Sequence, residues 1–218
     1  MSVRKIPKNH LFVTGGYSSS KSKEMVPFES LLEKDYLILR DFDPTVEKFE
    51  TQPVRIPVPG VPKGYVPDVL SRHRRDPNTG VVRKPLLVDV KHTDDLKRNE
   101  KKYAPKFAAA HRYAENEGLE FSIVDQTQIR TARLAFLKFL REFRNVSPLE
   151  ADIERVLECI GDRQSSLEVL LDKLTPTTEG RLYWLPIIWS MVLTGHLATD
   201  LDQPLTNDVP LRRTEDWP

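Results

Sequence analysis

The sequence predicts an α/β (α+β) fold, in which a mixed β-sheet flanked by helices is followed by a small helical domain. Three extended segments lie between a first amphipathic helix and a helix–strand–helix stretch, and this order requires both antiparallel and parallel strand neighbours. After Pro148 the pattern changes to three short helices and an extended tail, which predicts a winged helix. We therefore divide the chain into an N-terminal arm (1–27), a central domain (28–147) and a C-terminal domain (148–218).

Composition and cysteine content limit the kind of protein encoded. The 218 residues, 39% of them hydrophobic, can bury one large core or two small ones. We find neither an apolar run of about 18 residues nor a charged and apolar leader, so we expect a soluble protein that stays in the cytoplasm. Cys159 is the single cysteine, which excludes a disulfide within the chain and a zinc–thiolate site.

Charge is unevenly distributed along the chain. Residues 1–147 hold 27 Lys or Arg against 19 Asp or Glu, whereas residues 148–218 hold 6 against 13. A basic first part suits a nucleic-acid phosphate backbone, and an acidic second part is poorly suited to the same partner. Chance asymmetry remains the alternative, because net charge indicates a partner only weakly.

The first elements are an arm and an amphipathic helix. The arm contains Gly15-Gly16 and a run of serines but no apolar periodicity, so it is predicted to have no core of its own. Residues 28–40 form a helix in which Glu29 and Glu33 lie one turn apart, beside an apolar stripe. The stripe consists of Phe28, Leu31, Leu32 and Leu39.

Strands and helices then alternate in the central domain. We predict strands around 52–58, 65–74 and 82–91, a helix over 96–117, a strand at 121–124 and a helix over 127–144. The turn-rich residues 76–80 join the second and third strands into a hairpin. The C-terminal helices are predicted at 150–160, 166–174 and 181–193.

The hairpin is predicted to bring two carboxylates together. Asp68 and Asp89 would lie on adjacent antiparallel strands. Side chains alternate along a strand, so Asp89 and Lys91 point to one face, while Val90 points into the core and leaves its carbonyl oxygen available. Two carboxylates and a carbonyl form the all-oxygen partial cage that Mg2+ prefers, with Mn2+ able to substitute. Glu33 on the preceding helix could reach the same ion or a second one.

Lys91 has two possible roles beside such a metal. It could orient or deprotonate an attacking water, or neutralise charge that develops on a phosphate. The alternative is an ordinary edge strand with cross-strand charges, but the apolar run before Asp89 indicates a central strand, where charges usually have a function. A histidine metal site is disfavoured, because His73, His92 and His111 lack ligand spacing.

Basic residues near this site predict contacts with a phosphate backbone. The predicted set is Arg72, Arg74, Arg75, Lys97, Arg98, Lys101, Lys102 and Lys106, together with Lys5, Lys8, Lys21 and Lys23 in the arm. A solvated charged face is an equal alternative, since Asp94, Asp95 and Glu100 are interleaved.

The order Glu, Pro-Asp, Asp-x-Lys resembles the PD-(D/E)xK nuclease superfamily, and more narrowly the sequence resembles the TnsA family, the endonuclease subunits of heteromeric cut-and-paste transposases. Most of the chain takes part in the resemblance. Its motifs are Val3-Arg4-Lys5-Ile6-Pro7, Phe28-Glu29-Ser30-Leu31-Leu32-Glu33, Phe42-Asp43-Pro44, Gln52-Pro53, Tyr65-Val66-Pro67-Asp68 and Leu87-Val88-Asp89-Val90-Lys91. Ser166-Leu167-Glu168 and Leu193-Thr194-Gly195-His196-Leu197 resemble the winged-helix C-terminal domain of that family.

The resemblance implies a restriction-endonuclease-like fold and a catalytic set of Glu33, Asp68, Asp89 and Lys91. Glu33 is preferred to Glu29 because of its spacing from Gln52. It also implies Mg2+-dependent cutting of the 5′ ends of a transposon in a bacterial cytoplasm, close to the nucleoid. A TnsB-type transposase would cut and join the 3′ ends, and a TnsC-type AAA+ ATPase would bind the C-terminal region.

Two other functions share the same residues. A stand-alone restriction or repair nuclease would carry the same catalytic motif, and an inactive DNA-binding scaffold would be expected to lack one of its ligands. The helix over 181–193 is apolar rather than basic, which favours a protein partner over direct DNA contact for this domain. Trp184 and Trp189 then belong either to the domain core or to that interface.

Overall fold

The computed structural model describes residues 13–214 and divides the chain into two compact units. The division falls between Arg130 and Thr131. Each unit has its own sheet and its own apolar core.

The first unit consists of strands and helices in alternation. In chain order these are β1 (Gly15–Tyr17), β2 (Val26–Phe28), α1 (Leu31–Phe42), β3 (Val46–Thr51), β4 (Ile56–Val58), β5 (Val61–Tyr65), β6 (Val69–His73), β7 (Leu86–Val90), α2 (Thr93–Arg98), α3 (Glu100–Asn116), β8 (Glu120–Val124) and α4 (Gln126–Ile129).

A four-stranded mixed sheet forms the centre of this unit, which confirms the predicted α/β fold class. Its strands lie side by side in the order β3, β6, β7, β8. The first three are antiparallel to their neighbours, whereas β8 pairs parallel with β7 after a helical crossover. β7 is therefore a central strand, and its Leu87 and Val88 are fully buried. The alternative of an exposed edge strand is thereby excluded.

The N-terminal arm differs from the prediction. Residues 15–28 form the β1–β2 hairpin, in which Tyr17 is only 1% exposed. The Tyr17 hydroxyl donates a 2.8 Å hydrogen bond to Asp41, which also accepts hydrogen bonds from Ser19 and Ser20. One carboxylate thus ties the hairpin to α1, a long-range contact that local periodicity does not reveal. Lys5, Lys8 and the motif at 3–7 lie outside the described residues.

Helix α1 begins three residues later than predicted, because Ser30 is its N-cap and accepts a 3.1 Å hydrogen bond from the Glu33 amide. Phe28 belongs to β2 instead. Leu32 is buried as expected, but Leu31 is exposed. The remaining buried face of the helix consists of Asp35, Tyr36, Leu37 and Ile38.

Two predicted strands differ from the structure. Gln52 has a positive φ of 50° and lies in the connection between β3 and β4, so only Ile56–Val58 of the segment predicted at 52–58 is a strand. Pro67 interrupts the segment predicted at 65–74, since a proline cannot donate to the strand ladder. Asp68 consequently lies in the connection before β6 rather than within a strand.

The second unit is mainly helical. Its elements are α5 (Ala132–Leu140), a 3-10 turn (Arg141–Phe143), α6 (Glu150–Ile160), β9 (Ser165–Ser166), α7 (Leu167–Leu174), α8 (Thr178–Thr194), β10 (Leu197–Ala198) and β11 (Pro210–Arg213). The three short strands form an antiparallel sheet in the order β10, β11, β9. In the described part of the chain no helix is both long and apolar enough to cross a membrane.

The second core explains why the units divide at residue 130 and not at the predicted 147. Phe136 and Leu140 of α5 pack in one cluster with Trp189, whose ring centroid lies 5.9 Å from that of Phe136. Trp189 is 4% exposed and is therefore a core residue. With α5 included, residues 131–218 hold 10 Lys or Arg against 14 Asp or Glu, so the charge asymmetry is weaker than the predicted boundary suggested.

Candidate active site

The end of β7 carries Asp89, Val90 and Lys91. Asp89 is completely buried, although a carboxylate loses much hydration free energy in such a position. The Lys91 amide donates a 3.1 Å hydrogen bond to the Val124 carbonyl and thereby extends the pairing with β8. The sheet backbone thus fixes the point where the strand ends and the charged side chains begin.

Main-chain hydrogen bonds position Asp68 beside this strand end. Its amide donates to the Val88 carbonyl at 2.9 Å, and its carbonyl accepts from the Gln52 amide at 2.8 Å. The Val90 amide donates to Oδ2 of the Asp68 carboxylate at 2.7 Å. The carboxylate is therefore held by the backbone of β7 even though Asp68 precedes β6.

The Lys91 ammonium lies among three oxygens at one distance. Its Nζ is 3.1 Å from Oδ2 of Asp68, 3.1 Å from Oδ2 of Asp89 and 3.1 Å from the Val90 carbonyl. Beyond this ion pair, the Tyr65 hydroxyl also interacts with the Asp89 carboxylate. The oxygens predicted to hold a metal are thus brought together, and a cationic side chain lies between them.

Burial and like charge alter the ionisation of these groups. Burial, followed by the charge of Asp68, raises the pKa of Asp89 to about 8. Burial alone would lower the pKa of Lys91, but Asp68 and Asp89 raise it well above its ordinary value. A lysine between two carboxylates stays protonated, and the site as a whole has a deficit of positive charge.

Glu33 lies close enough to Asp68 for the Asp68 charge to affect its pKa, but its carboxylate makes hydrogen bonds at the start of α1. Burial, and after it the Asp68 carboxylate, raises the pKa of Glu33 to about 7. Both of its carboxylate oxygens serve the start of α1: Oε2 accepts from the Glu29 amide at 2.8 Å, and Oε1 accepts from the Ser30 hydroxyl at 3.0 Å. No three His, Cys, Asp or Glu side chains within residues 13–214 are grouped closely enough to hold a metal by themselves.

A cleft of about 440 Å³ opens over Asp68, Asp89 and Lys91. Glu29 lines this cleft, whereas Glu33 does not, so the two helix carboxylates differ in access. The other lining residues are Arg55, Lys63, Gly64, Tyr65, Val66, Lys102, Tyr103 and Lys106. Burial, followed by Asp89, raises the pKa of the Tyr65 hydroxyl, which stays protonated in the cleft.

Of the basic residues predicted to contact DNA that lie within residues 13–214, Lys102 and Lys106 line the cleft and the others do not. Lys97, Arg98 and Lys101 are exposed on α2 and α3 outside its lining. The chain runs away from Asp68 along β6 towards Arg72, Arg74 and Arg75. At a rise of about 3.3 Å per residue, Arg74 and Arg75 lie about 20 Å from Asp68.

The structure also identifies two cleft cations absent from the predicted set. Arg55 directly precedes β4, and Lys63 lies in β5. The hairpin that these strands form was not recognisable from the sequence, because a single predicted strand covered β4. The three histidines lie on separate elements, and within the described residues no histidine cluster is present.

A mixed sheet with two aspartates and a lysine beside its central strands is consistent with a restriction-endonuclease-like fold. Residues 43–126 match the family described as TnsA-like endonuclease N terminal. This match supports a TnsA-type nuclease, in agreement with the resemblance drawn from the motifs. The matched segment contains Asp68, Asp89 and Lys91 but begins after Glu29 and Glu33. A search of curated proteins finds no match to the chain.

Proposed function

We propose that the protein is a transposon-end endonuclease that hydrolyses DNA phosphodiester bonds at the 5′ ends of a transposon, inside the bacterial cytoplasm. The observation that carries this proposal is the Lys91 ammonium held by the oxygens of Asp68, Asp89 and Val90, within a segment of TnsA-like sequence. Cut-and-paste transposition would join its action to that of a TnsB-type transposase and a TnsC-type AAA+ ATPase.

We propose that Mg2+, with Mn2+ as a substitute, binds to Asp68, Asp89 and the Val90 carbonyl. The three oxygens fit a hard divalent cation, because they already converge on one positive charge. Such an ion lowers the pKa of water and offsets charge on a phosphate. The ammonium would compete with the ion for these oxygens, and an ion that takes them would displace Lys91 towards the cleft.

In that position Lys91 would be a cationic donor at the reacting phosphate. A lysine side chain is ordinarily protonated near neutral pH, which favours neutralisation of phosphate charge over deprotonation of water, since an ammonium is a poor base. Glu33 is proposed as an additional metal-site carboxylate, which requires it to leave the Glu29 amide and the Ser30 hydroxyl. Glu29, which already lines the cleft, is the alternative.

We propose that the second unit is a winged helix that binds a protein partner. Its order of α6, β9, α7, α8 and a β10–β11 hairpin supports this proposal. Leu182 and Tyr183 on α8 are 68% and 52% exposed, and an apolar surface on this helix suits a protein better than DNA. Leu182→Glu should weaken binding of the ATPase, whereas Leu205→Glu, at another exposed leucine, should not.

A cleavage assay with matched variants tests the proposed activity. Purified protein with its transposase partner and Mg2+ should nick transposon ends, and Asp68→Ala or Lys91→Ala should abolish the 5′ cut while DNA binding persists. Asp94→Ala removes an exposed carboxylate outside the cleft and serves as the control. Unchanged cleavage in both site variants would contradict the assignment. Cleavage of any duplex without the partner would favour a stand-alone nuclease.

A further inference from the structure

The cleft has an acidic floor and basic sides. Asp68 and Asp89 lie at the floor, and four cations besides Lys91 line the cleft around them. These are Arg55, Lys63, Lys102 and Lys106. An acidic floor repels the phosphates of DNA, so a substrate backbone needs compensating positive charge beside the reacting position.

On one side the cations belong to the β4–β5 hairpin. The Arg55 guanidinium donates a 2.5 Å hydrogen bond to the Lys63 carbonyl, and this contact joins the two arms of the hairpin. Ile56 pairs with Tyr65 immediately beside it. The hairpin therefore presents two cations from a backbone-anchored position.

On the other side the cations belong to α3. Lys102 and Lys106 lie one turn apart, with their ammonium groups 5.9 and 5.8 Å from the Tyr103 ring centroid. The Tyr103 hydroxyl donates a 2.6 Å hydrogen bond to Asp95, and its ring stacks on Phe107 at 5.3 Å. The aromatic ring is fixed at both ends and keeps the two lysines at the cleft.

The two sides form one packed body. Phe107 of α3 contacts Tyr65 of β5 edge-on, with ring centroids 6.2 Å apart. Ile56, Val58 and Tyr65 of the hairpin share an apolar cluster with Ala109 and Ala110 of the helix. The relative positions of the four cations are therefore set by a common core, and little ordering remains when a ligand binds.

We propose that Arg55 and Lys63 on one side, and Lys102 and Lys106 on the other, clamp the DNA backbone phosphates that flank the scissile phosphate. This inference rests on the proposed nuclease function and adds the residues that place the substrate over Asp68 and Asp89. On an ordinary solvent-exposed surface, cationic side chains point into solvent in different directions. These four cations instead line one cleft, which contains the candidate active site. Arg55→Gln/Lys63→Gln and Lys102→Gln/Lys106→Gln test the two sides separately.

The control for both variants is Arg83→Gln/Lys84→Gln, which removes two exposed cations that precede β7 and lie outside both the cleft and the predicted set of DNA contacts. Affinity for a fluorescent DNA duplex is measured over a salt series without divalent metal. Each clamp variant should bind roughly 25-fold more weakly, about fivefold for each charge pair. The dependence of log affinity on log salt should fall by about 2 relative to wild type. The melting temperature of each variant shows whether it is folded. If one double variant is unstable, the other double variant still tests the clamp.

Single-turnover cleavage at saturating DNA separates this inference from the proposed function. The clamp variants should then cut at close to the wild-type rate, because the clamp places the substrate and does not act on the reacting atoms. If wild type cuts DNA and both clamp variants show the affinity and salt dependence of the control, the clamp is refuted and the nuclease stands. If the clamp variants lose affinity but wild type cuts nothing, the clamp stands and the nuclease proposal fails.

Discussion

Replacing Lys91 with methionine tests whether its ammonium and a divalent cation compete for the same oxygens. Methionine keeps an unbranched apolar chain and removes the charge. The ammonium lies 3.1 Å from the oxygens of Asp68, Asp89 and Val90, whereas Mg2+ holds its ligands at about 2.1 Å. We expect the variant to bind a divalent cation more tightly than wild type, although it cleaves no DNA.

The size of the effect follows from the contacts that the ammonium loses. The side chains of Lys91, Asp68 and Asp89 are 22%, 15% and 1% exposed, so solvent screens them little. A hydrogen bond to a charged group contributes about 1.5–3 kcal/mol. Counting only one such contact, because the ammonium regains hydration when it leaves, gives about 2 kcal/mol or about 30-fold in the dissociation constant. Without metal, the unpaired carboxylates should cost on the order of 3 kcal/mol of unfolding free energy.

Isothermal titration with Mn2+ and Mg2+ measures the affinity, and thermal melting with and without metal measures stability. Lys101→Met, which removes an exposed ammonium outside the cleft, is the matched control and should bind metal like wild type. A folded Lys91→Met protein that binds the cations no more tightly than wild type would refute the competition.

Three further outcomes follow from the described contacts. Burial is the larger cause and the Asp68 charge the second cause that raises the pKa of Asp89 to about 8 and the pKa of Glu33 to about 7. The folded metal-free protein therefore retains protons that the unfolded chain releases above a pH of about 4. As the pH rises from about 5.5 to about 8.5, the melting temperature should therefore decrease, while the stabilising charge of Lys91 stays constant. Calorimetry over this pH series measures the decrease. Asp89→Asn should make the melting temperature depend less on pH. In urea titrations, Gly64→Ala should lower the free energy of unfolding by about 1–3 kcal/mol more than Gly60→Ala does. Both residues have positive φ, but a Cβ at Gly64 would lie 2.6 Å from a backbone carbonyl oxygen. Equal losses in the two variants would contradict this prediction. Ile188→Ala, in the second core, should cost about 2–5 kcal/mol in guanidinium unfolding, and a loss below about 1 kcal/mol would show that this helix face is not packed.

The strand-end part of the site could be predicted because it depends on local rules. An apolar run identifies β7 as central, and alternation along the strand places Asp89 and Lys91 on one side of it. The turn-rich residues 76–80 join β6 and β7 and so bring Asp68 within 2.7 Å of the Val90 amide. Nothing beyond nearest neighbours in the sheet is needed for this inference.

The remaining parts depend on contacts between distant residues. The β1–β2 hairpin is held by Asp41, and the β4–β5 hairpin is held by its packing on α3, so neither has a strong periodic pattern of its own. The boundary between units was misplaced because α5 is equally apolar whichever core it joins. The Glu33 carboxylate was predicted at the metal, but a serine three residues earlier engages it at the start of α1.

The way Asp68 is held has a consequence for how such proteins diverge. Its position depends on the amides of Val90 and Gln52 and on the carbonyl of Val88, groups that almost every amino acid supplies. Side chains around the site can therefore be exchanged over evolutionary time while its geometry persists. Few letters of the sequence are needed to keep this geometry, which is why the short motifs around Asp68 and Asp89 carry the resemblance to the family.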